Sequence, residues 1–187
     1  MLSKKKVLKI IGVNSGTSAD ALDISLVKFD GKSINLLSTN TFGYPTVLKK
    51  EILSSGPNSK IYDIETLSLK LGDFVSKKIN LFIKKNKIQT SRIDAIGLHG
   101  QTIHHSQDFK KTISIQITEP DLVSQNTGIV TVFDFRKKDI VVGGGGAPLM
   151  PILDYYLFPK IKRPFICQNL GGIANSTLVE STLLKCI

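Results

Sequence analysis

The sequence predicts an α/β domain built on a mixed β-sheet. Near the N-terminus, three apolar segments separated by turn residues predict a meander of three strands. From Ile61 onwards, apolar residues recur every three or four positions, which predicts a long helix. Beyond this helix, short apolar segments alternate with helical ones, and this alternation of strands and helices is typical of α/β domains.

The N-terminal half is predicted to form the meander and two helices. Residues 7–13 are a nearly continuous apolar run and residues 22–27 are rich in branched side chains, so both are predicted as strands. A third strand over residues 34–42 follows an Asp-Gly turn signal. Residues 46–54 are predicted as a short helix. Residues 61–85 carry an apolar stripe with most lysines off it, which indicates a core-facing helix.

The second half is predicted to alternate short buried strands with short helices. Apolar segments bounded by polar residues predict the strands, and segments opened by proline predict the helices. One of these helices ends at Asn126-Thr127-Gly128, where glycine is expected to form the C-cap. The predicted strands are residues 93–98, 112–117, 129–133 and 165–170, and the predicted helices are residues 120–125 and 148–158.

Composition bounds the size of the protein and the class of its partners. The 187 residues, 41% of them hydrophobic, suffice for one domain with a core, or for one domain and part of another. The net charge is +10, but only three of the 25 basic residues are arginine and tryptophan is absent, so we expect no nucleic-acid partner. No apolar run is long enough to span a membrane, and no signal-peptide pattern or disulfide framework is evident. A cytoplasmic protein with reduced thiols is therefore expected.

The connector between the first two strands has the composition of a phosphate-binding turn. Gly16, Thr17 and Ser18 offer backbone N–H groups and hydroxyls without bulky side chains. Asp20 can hold a magnesium ion directly or through its waters. The alternative is a β-hairpin with an ordinary polar turn, which turn composition alone favours.

A second polar segment follows the predicted strand over residues 93–98. His99, Gln101 and Thr102 offer a compact set of donors and acceptors for a hydroxyl-rich ligand. Ligand groups of α/β folds gather at the carboxyl ends of strands, which favours a binding role. A polar loop over the strand end is the alternative. A metal site is not favoured, because the histidines lack acidic or cysteine partners at matching spacing.

A third polar segment follows the predicted strand over residues 129–133. Asp134 and Asp139 flank Arg136, so the arginine can hold one carboxylate while the other stays free. A free carboxylate at a strand end is a candidate general base. An exposed turn with local ion pairing explains this segment at least as well.

Two glycine-rich segments complete the set. Residues 143–146 are four consecutive glycines before a proline-started helix, and their entropic cost is explained if backbone approaches a ligand or acts as a hinge. A flexible linker is the alternative, although the segment lacks polar residues. Residues 169–179 enter as a strand, turn at Gly171-Gly172 and leave as a strand, which repeats the pattern of the opening hairpin.

Together these segments resemble the anhydro-N-acetylmuramic acid kinase family. They occur in the family's order and span the chain nearly end to end. The resemblance implies a ribonuclease H-like lobe of the actin-like ATPase fold, with only the start of a second lobe. It implies a domain boundary between residues 1–163 and 164–187. The matching segments are residues 15–23, 99–102, 134–139, 143–148 and 169–175.

The resemblance also implies a reaction. Such an enzyme of peptidoglycan recycling uses ATP and Mg²⁺ to open the ring of 1,6-anhydro-N-acetylmuramic acid and to phosphorylate its 6-oxygen. Asp139, or else Asp134, would activate the water, and Asp20 would hold the metal. The residues assigned to ATP are Gly16, Thr17, Ser18, Ala19, Asp20, Ala21, Leu22, Asp23, Gly171 and Gly172, and those assigned to the sugar are His99, Gln101, Thr102, Arg136, Gly144 and Gly145.

The chain departs from the family pattern in three ways. Ala21 stands where the family usually has glycine, and Gly145 stands where it often has glutamine. Family members are also considerably longer, so we expect a truncated or split kinase that is poorly active or inactive alone. The alternative is a non-catalytic lobe that binds the sugar or docks a separately encoded C-terminal half. A homodimer is left open.

Overall fold

The computed structural model describes residues 7–31, 33–107, 111–158, 161–170, 174–180 and 184–186. Among these, no helix has both the length and the apolar content needed to cross a membrane. In chain order the elements are β1 (Leu8–Ser15), β2 (Ala21–Phe29), β3 (Ile34–Gly43), α1 (Thr46–Ser54), α2 (Ile61–Lys85), a 3-10 turn (Thr90–Arg92), β4 (Ala95–Leu98), β5 (Gln101–Gln107), β6 (Thr112–Ile117), α3 (Pro120–Thr127), β7 (Thr131–Phe133), α4 (Phe135–Val141), α5 (Met150–Leu157), β8 (Phe165–Asn169), β9 (Asn175–Val179) and β10 (Leu184–Cys186).

A five-stranded mixed sheet with the order β3-β2-β1-β4-β7 forms the centre of the fold. The strands β1, β2 and β3 run antiparallel, whereas β4 is parallel to β1 and β7 is parallel to β4. Val13 of β1 pairs with Ile24 on one side and with Leu98 on the other. The predicted mixed-sheet α/β fold is therefore confirmed, including its N-terminal meander.

The main core lies between this sheet and α2. Alternate residues of β1 and β2 are buried because side chains alternate between the two faces of a strand. Ile11, Val13 and Ile24 pack in one cluster with Val75 and Phe82 of α2. The apolar residues whose spacing of three and four predicts α2 are thus the ones that face the sheet. Gly128 ends α3 with a φ of 68°, which confirms the predicted glycine C-cap.

Several segments differ from the sequence prediction. Residues 112–117 were expected to form a buried strand, but Ile113 and Ile115 of β6 remain 39% and 38% exposed. Residues 129–133 were expected to form a buried strand, but β7 is the last strand of the sheet, and Val132 and Phe133 remain 45% and 51% exposed. Residues 101–107, where no strand was predicted, form β5 and pair with β6 in a separate hairpin. The strand β5 is polar along most of its length, so it lacks the apolar alternation that marks a half-buried strand, whereas β6 alternates isoleucine with polar residues.

A second sheet, with the order β8-β9-β10, begins near the end of the chain. The strands β8 and β9 confirm the predicted strand that enters the segment over residues 169–179 and the predicted strand that leaves it. The strand β10 was not predicted. The helix α5 packs against β9 and β10. A domain boundary after residue 163 would separate α5 from the sheet that it contacts, and this boundary stays a prediction.

Gly72 allows α2 to pack closely against the start of α3. A Cβ at this position would lie 2.9 Å from the carbonyl oxygen of Glu119 and 3.1 Å from its Cβ. We expect Gly72→Ala to lower the free energy of unfolding by about 1–2 kcal/mol, because overpacking costs about 1–3 kcal/mol and helix propensity returns at most about 1 kcal/mol. Urea denaturation measures the change.

The matched control for this substitution is Gly56→Ala. A Cβ on Gly56 would meet no atom within 4 Å, so the free energy of unfolding is expected to stay within about 0.5 kcal/mol. Equal losses of stability in the two variants would contradict the close contact between α2 and Glu119.

Candidate functional site

The turn between β1 and β2 presents its polar groups to solvent. The Ala19 N–H donates to the Gly16 carbonyl at 3.0 Å, and Ala19 itself is fully buried with a φ of 49°. Gly16, Thr17 and Ser18 are exposed. The buried alanine anchors the turn while the three exposed residues offer N–H groups and hydroxyls, as phosphate binding requires.

The remaining residues of this connector divide between the core and the site. Leu22 is buried in the main core, so its side chain supports the hairpin from beneath. Asp23 lies on the opposite face of β2, is exposed and accepts a hydrogen bond from the Thr41 hydroxyl at 2.6 Å. Ala21, where the family usually has glycine, is half-buried at the start of β2.

Asp20 is ionised and has one strong partner. Its Oδ1 lies 2.6 Å from the Lys49 Nζ in α1, and its side chain is 71% exposed. The hydrogen bond from Lys49, followed by one from Ser18, lowers the pKa of the Asp20 carboxyl. Within the described ranges, no group of three or more His, Cys, Asp or Glu side chains could hold a metal ion. A magnesium ion that used Asp20 would therefore take its other ligands from phosphates and waters, as this ion commonly does.

Gln101 lies beneath the turn and is only 1% exposed. Its Oε1 accepts a hydrogen bond from the Ser15 hydroxyl at 2.6 Å, and its Nε2 donates to the Gly16 carbonyl at 3.2 Å. A void of about 10 Å³ lies beside it and is also lined by Tyr44. This placement favours support of the phosphate-type turn over the contact with sugar that the sequence suggested.

We expect Gln101→Met to loosen this turn, because a side chain of similar size would remove the buried acceptor of the Ser15 hydroxyl and one of the donors to the Gly16 carbonyl. Each lost hydrogen bond contributes about 0.5–1.5 kcal/mol, so amide exchange over residues 16–19 should accelerate about tenfold. Hydrogen exchange read by mass spectrometry measures this rate. Gln125→Met on the exposed side of α3 is the control, and equal acceleration in both variants would argue against the support.

The carboxyl ends of β1, β4 and β7 meet at one edge of the sheet because these strands are parallel. His99 directly follows β4, and Asp134 directly follows β7. The chain then enters α4 rather than the exposed turn that was the alternative for this segment. Asp134 has left-handed backbone angles, with φ 60° and ψ 46°, and its side chain makes no capping hydrogen bond to α4.

Asp139 projects from α4 into the backbone of residues 143–146, which we call the glycine strap. The Gly144 N–H donates to the Asp139 carbonyl at 2.8 Å, and the Gly146 N–H donates to the Asp139 Oδ2 at 2.7 Å. A Cβ on Gly144 would overlap all three carboxyl atoms of Asp139. The strap is thus folded around the carboxylate, and close packing explains Gly144 and Gly146, which face Asp139 and Ile140, better than a flexible linker does.

Arg136 binds the strap and His99 instead of a carboxylate. Its Nη1 donates to the Gly146 carbonyl at 2.7 Å, and its Nη2 lies 3.1 Å from the His99 Nε2. Its Nε is buried without a partner. The expected ion pair with Asp134 or Asp139 is absent among the residues that the structure describes, because the Gly146 N–H holds Asp139 instead.

Burial and charge act together on the two side chains of this contact. Burial lowers the pKa of the Arg136 guanidinium. Burial, and then the positive charge of Arg136, lowers the pKa of His99. The His99 ring also stacks parallel to Phe135, with 6.3 Å between the ring centroids. His99 is therefore a neutral, oriented ring at neutral pH.

Two cavities open at this edge of the sheet, and each contains one of the two aspartates. A cavity of about 850 Å³ is lined by Asp139, by Asn14 and Asp23 from the strands that flank the turn, and by residues 148–149 and 151–153. A smaller cavity of about 350 Å³ is lined by Asp134, Lys137, Ser114 and Glu119, among others. His99 lines both cavities. Asp139 thus shares its cavity with the first hairpin, and Asp134 does not.

The other residues singled out from the sequence fall into two groups. The first group is half-buried: Thr102 in the β5–β6 hairpin, and Gly144 and Gly145 in the strap. Contact of these residues with a sugar stays a prediction. Gly171 and Gly172 lie outside the described residues.

Sequence analysis missed two side chains that shape the site. Lys49 pairs with Asp20 across 29 positions, a separation for which no local pattern exists. Phe135 stacks on His99. Its position directly after Asp134 is the one sign in the sequence that it lies near the site.

Comparison with known proteins gives a consistent set of relatives. A family model described as anhydro-N-acetylmuramic acid kinase matches residues 8–182. A Coxiella burnetii (strain Dugway 5J108-111) protein named anhydro-N-acetylmuramic acid kinase is 38% identical over 173 residues, which are 91% of this chain and 46% of that protein. A protein of the same name from Sulfurovum sp. (strain NBC37-1) is 37% identical over 177 residues, 94% of this chain and 49% of the relative.

The chain spans about half the length of the curated relatives it matches. Among solved structures, it is similar to the PPX-GPPA enzyme of Aquifex aeolicus, with a TM-score of 0.45 and 10% identity. That match covers 97% of this chain and 52% of the other.

Proposed function

The chain belongs to the anhydro-N-acetylmuramic acid kinase family, and from this premise we propose that it supplies the first lobe of such a kinase. The proposed reaction converts 1,6-anhydro-N-acetylmuramic acid, ATP and water into N-acetylmuramic acid 6-phosphate and ADP, in the cytoplasmic recycling of peptidoglycan. The observation that carries the proposal is the position of Asp139. Its carboxylate lines the same cavity as Asn14 and Asp23, which flank the turn that offers donors to phosphate.

Asp139 has the geometry of a general base for the ring-opening step. Its Oδ2 is held by the Gly146 N–H, which leaves Oδ1 to take a proton from water. The oxygen of that water bonds to the anomeric carbon, and the bond from this carbon to the 6-oxygen breaks. The 6-oxygen then forms the new bond to the γ-phosphorus of ATP, as the bond from this phosphorus to the β–γ bridging oxygen breaks and ADP leaves, while Asp139 keeps one proton of the water.

The turn and Asp20 fit the phosphate end of ATP, which would supply the transferred phosphoryl group. Thr17 and Ser18 are exposed donors, and the buried Ala19 fixes the turn that presents them. Asp20 would hold Mg²⁺, directly or through water, with the carboxylate oxygen that Lys49 leaves free. Phosphoryl transfer depends mainly on positioning and on charge neutralisation, which these groups can provide.

The alternative is a non-catalytic lobe that binds the sugar or docks a separately encoded C-terminal half. One observation favours it: large apolar side chains on and around the second sheet are exposed to solvent. Ile152 of α5, Ile166 of β8 and Leu170 are 65%, 63% and 79% exposed, and such exposed apolar groups favour association.

The test measures binding and turnover separately. Calorimetry with the purified chain measures its affinity for Mg·ATP and for 1,6-anhydro-N-acetylmuramic acid. Mass spectrometry then follows ATP-dependent formation of the sugar 6-phosphate by the chain alone and by the chain mixed with the remaining portion of a relative. Turnover in either case supports the kinase. Binding of the sugar with no turnover in both cases supports the non-catalytic lobe, and binding of neither ligand rejects both.

A further inference from the structure

We propose that Arg136 is a positioning residue that fixes His99 as the Nδ1–H tautomer, so that His99 serves as a neutral hydrogen-bond donor to an oxygen of the ligand. Only the identity of that ligand rests on the proposed function. The sequence suggested instead that both residues bind the sugar in the same way. The geometry assigns them different roles, one that contacts the ligand and one that orients it.

The tautomer follows from the chemistry of the contact. A guanidinium group carries N–H donors and no acceptor, so a ring nitrogen that bonds to it must offer a lone pair. The Arg136 Nη2 lies 3.1 Å from the His99 Nε2, which must therefore accept. A neutral imidazole carries one proton, and that proton must then lie on Nδ1.

Two further contacts hold the ring of His99 in place. The backbone N–H of His99 donates to the Val13 carbonyl at 3.2 Å, which fixes the residue at the carboxyl end of β4. The ring stacks on Phe135 with an angle of 1° between the two planes. Among the described residues the Nδ1 has no acceptor, while His99 lines both cavities. The Nδ1–H is therefore available to a ligand.

Arg136 is not among the residues that line the two cavities, and three of the five N–H groups of its guanidinium are bonded or buried. Its Nη1 donates to the Gly146 carbonyl at 2.7 Å, its Nη2 contacts His99, and its Nε is buried. Gly146 is also the residue whose N–H holds the Asp139 carboxylate. Arg136 thus connects a neutral donor, His99, to a charged acceptor, Asp139. This pair suits a ligand that presents an uncharged oxygen beside a group that gives up a proton.

The direct test is the tautomer of His99 in the intact chain, measured without any ligand. Long-range ¹H–¹⁵N NMR spectra of the histidine-labelled protein at pH 7.5 distinguish a protonated from an unprotonated ring nitrogen. Loss of one signal in His99→Gln assigns the ring among the three histidines. We expect the Nδ1–H form in the wild type. In Arg136→Met the ratio of Nδ1–H to Nε2–H should fall at least about tenfold, the loss of one charge-assisted hydrogen bond.

Arg92→Met is the matched control, because Arg92 is an exposed arginine in the 3-10 turn. Its spectrum should keep the wild-type tautomer of His99. An Nε2–H ring in the wild type, or an unchanged tautomer in a folded Arg136→Met variant, would overturn the proposal. If Arg136→Met does not fold, the wild-type tautomer alone decides. Because no nucleotide or sugar takes part, a failure of the proposed kinase activity would leave this result unaffected.

Discussion

Replacing Asp139 with asparagine is expected to reduce formation of the sugar 6-phosphate by about 10²–10⁴-fold, the usual contribution of a general base. The amide cannot take a proton from water. Its oxygen can still accept the hydrogen bond from the Gly146 N–H, which lies 2.7 Å from the Asp139 Oδ2. The strap should therefore keep its conformation, and the thermal unfolding midpoint should stay close to that of the wild type.

The matched variant is Asp134→Asn, measured in the same assembly of chain and complementing half. Asn tolerates the left-handed backbone of this position, so the fold should be unaffected. Asp134 lines the smaller cavity, whereas Asp139 lines the one shared with the first hairpin. We therefore expect Asp134→Asn to retain most of the turnover. The opposite pattern, an active Asp139→Asn and an inactive Asp134→Asn, would move the reaction to the smaller cavity.

The elements that could be predicted from the sequence are those in which the spacing of apolar residues shows which side chains are buried. The stripe of α2 that includes Val75, Ile79 and Phe82 repeats at helical spacing because one face of the helix packs on the sheet. The strands β1 and β2 are recognisable because alternate residues are buried. The glycines after α4 were singled out as costly, and the structure gives one reason for them: a Cβ on Gly144 would overlap Asp139.

The contacts that could not be predicted join residues far apart in the chain. Gln101 supports Gly16 across 85 positions, and nothing in the neighbourhood of Gln101 distinguishes a buried amide from one that binds sugar. The strand β5 was missed because its own residues are mostly polar and lack apolar alternation. Its backbone groups are paired with β6, a contact that no local pattern shows. Arg136 lies three positions from Asp139, so an ion pair was the natural expectation. The strap provides a closer partner for each of them, and only the fold reveals it.

Gly144→Ala is expected to impair turnover nearly as much as the loss of the carboxylate itself. The added Cβ would occupy the space of the Asp139 carboxyl group, so this side chain must leave the Gly146 N–H. A displacement of about 1 Å in a catalytic group can cost about a hundredfold in rate, and we expect a loss of that size. Affinity for Mg·ATP, measured by calorimetry, should change little, because among the described residues no backbone hydrogen bond joins the turn over residues 16–19 to the strap.

Gly145→Ala is the neighbouring control and separates this effect from a general stiffening of the strap. A Cβ on Gly145 would meet the amide end of Gln107 at 2.8–3.1 Å, and the flexible Gln107 side chain can move away. Both variants remove one glycine from the same strap, so they restrict the unfolded chain equally. If turnover falls equally in the two, flexibility of the strap matters rather than its contact with Asp139. If it falls only in Gly144→Ala, the close packing of the glycine against the carboxylate is what holds the base in position.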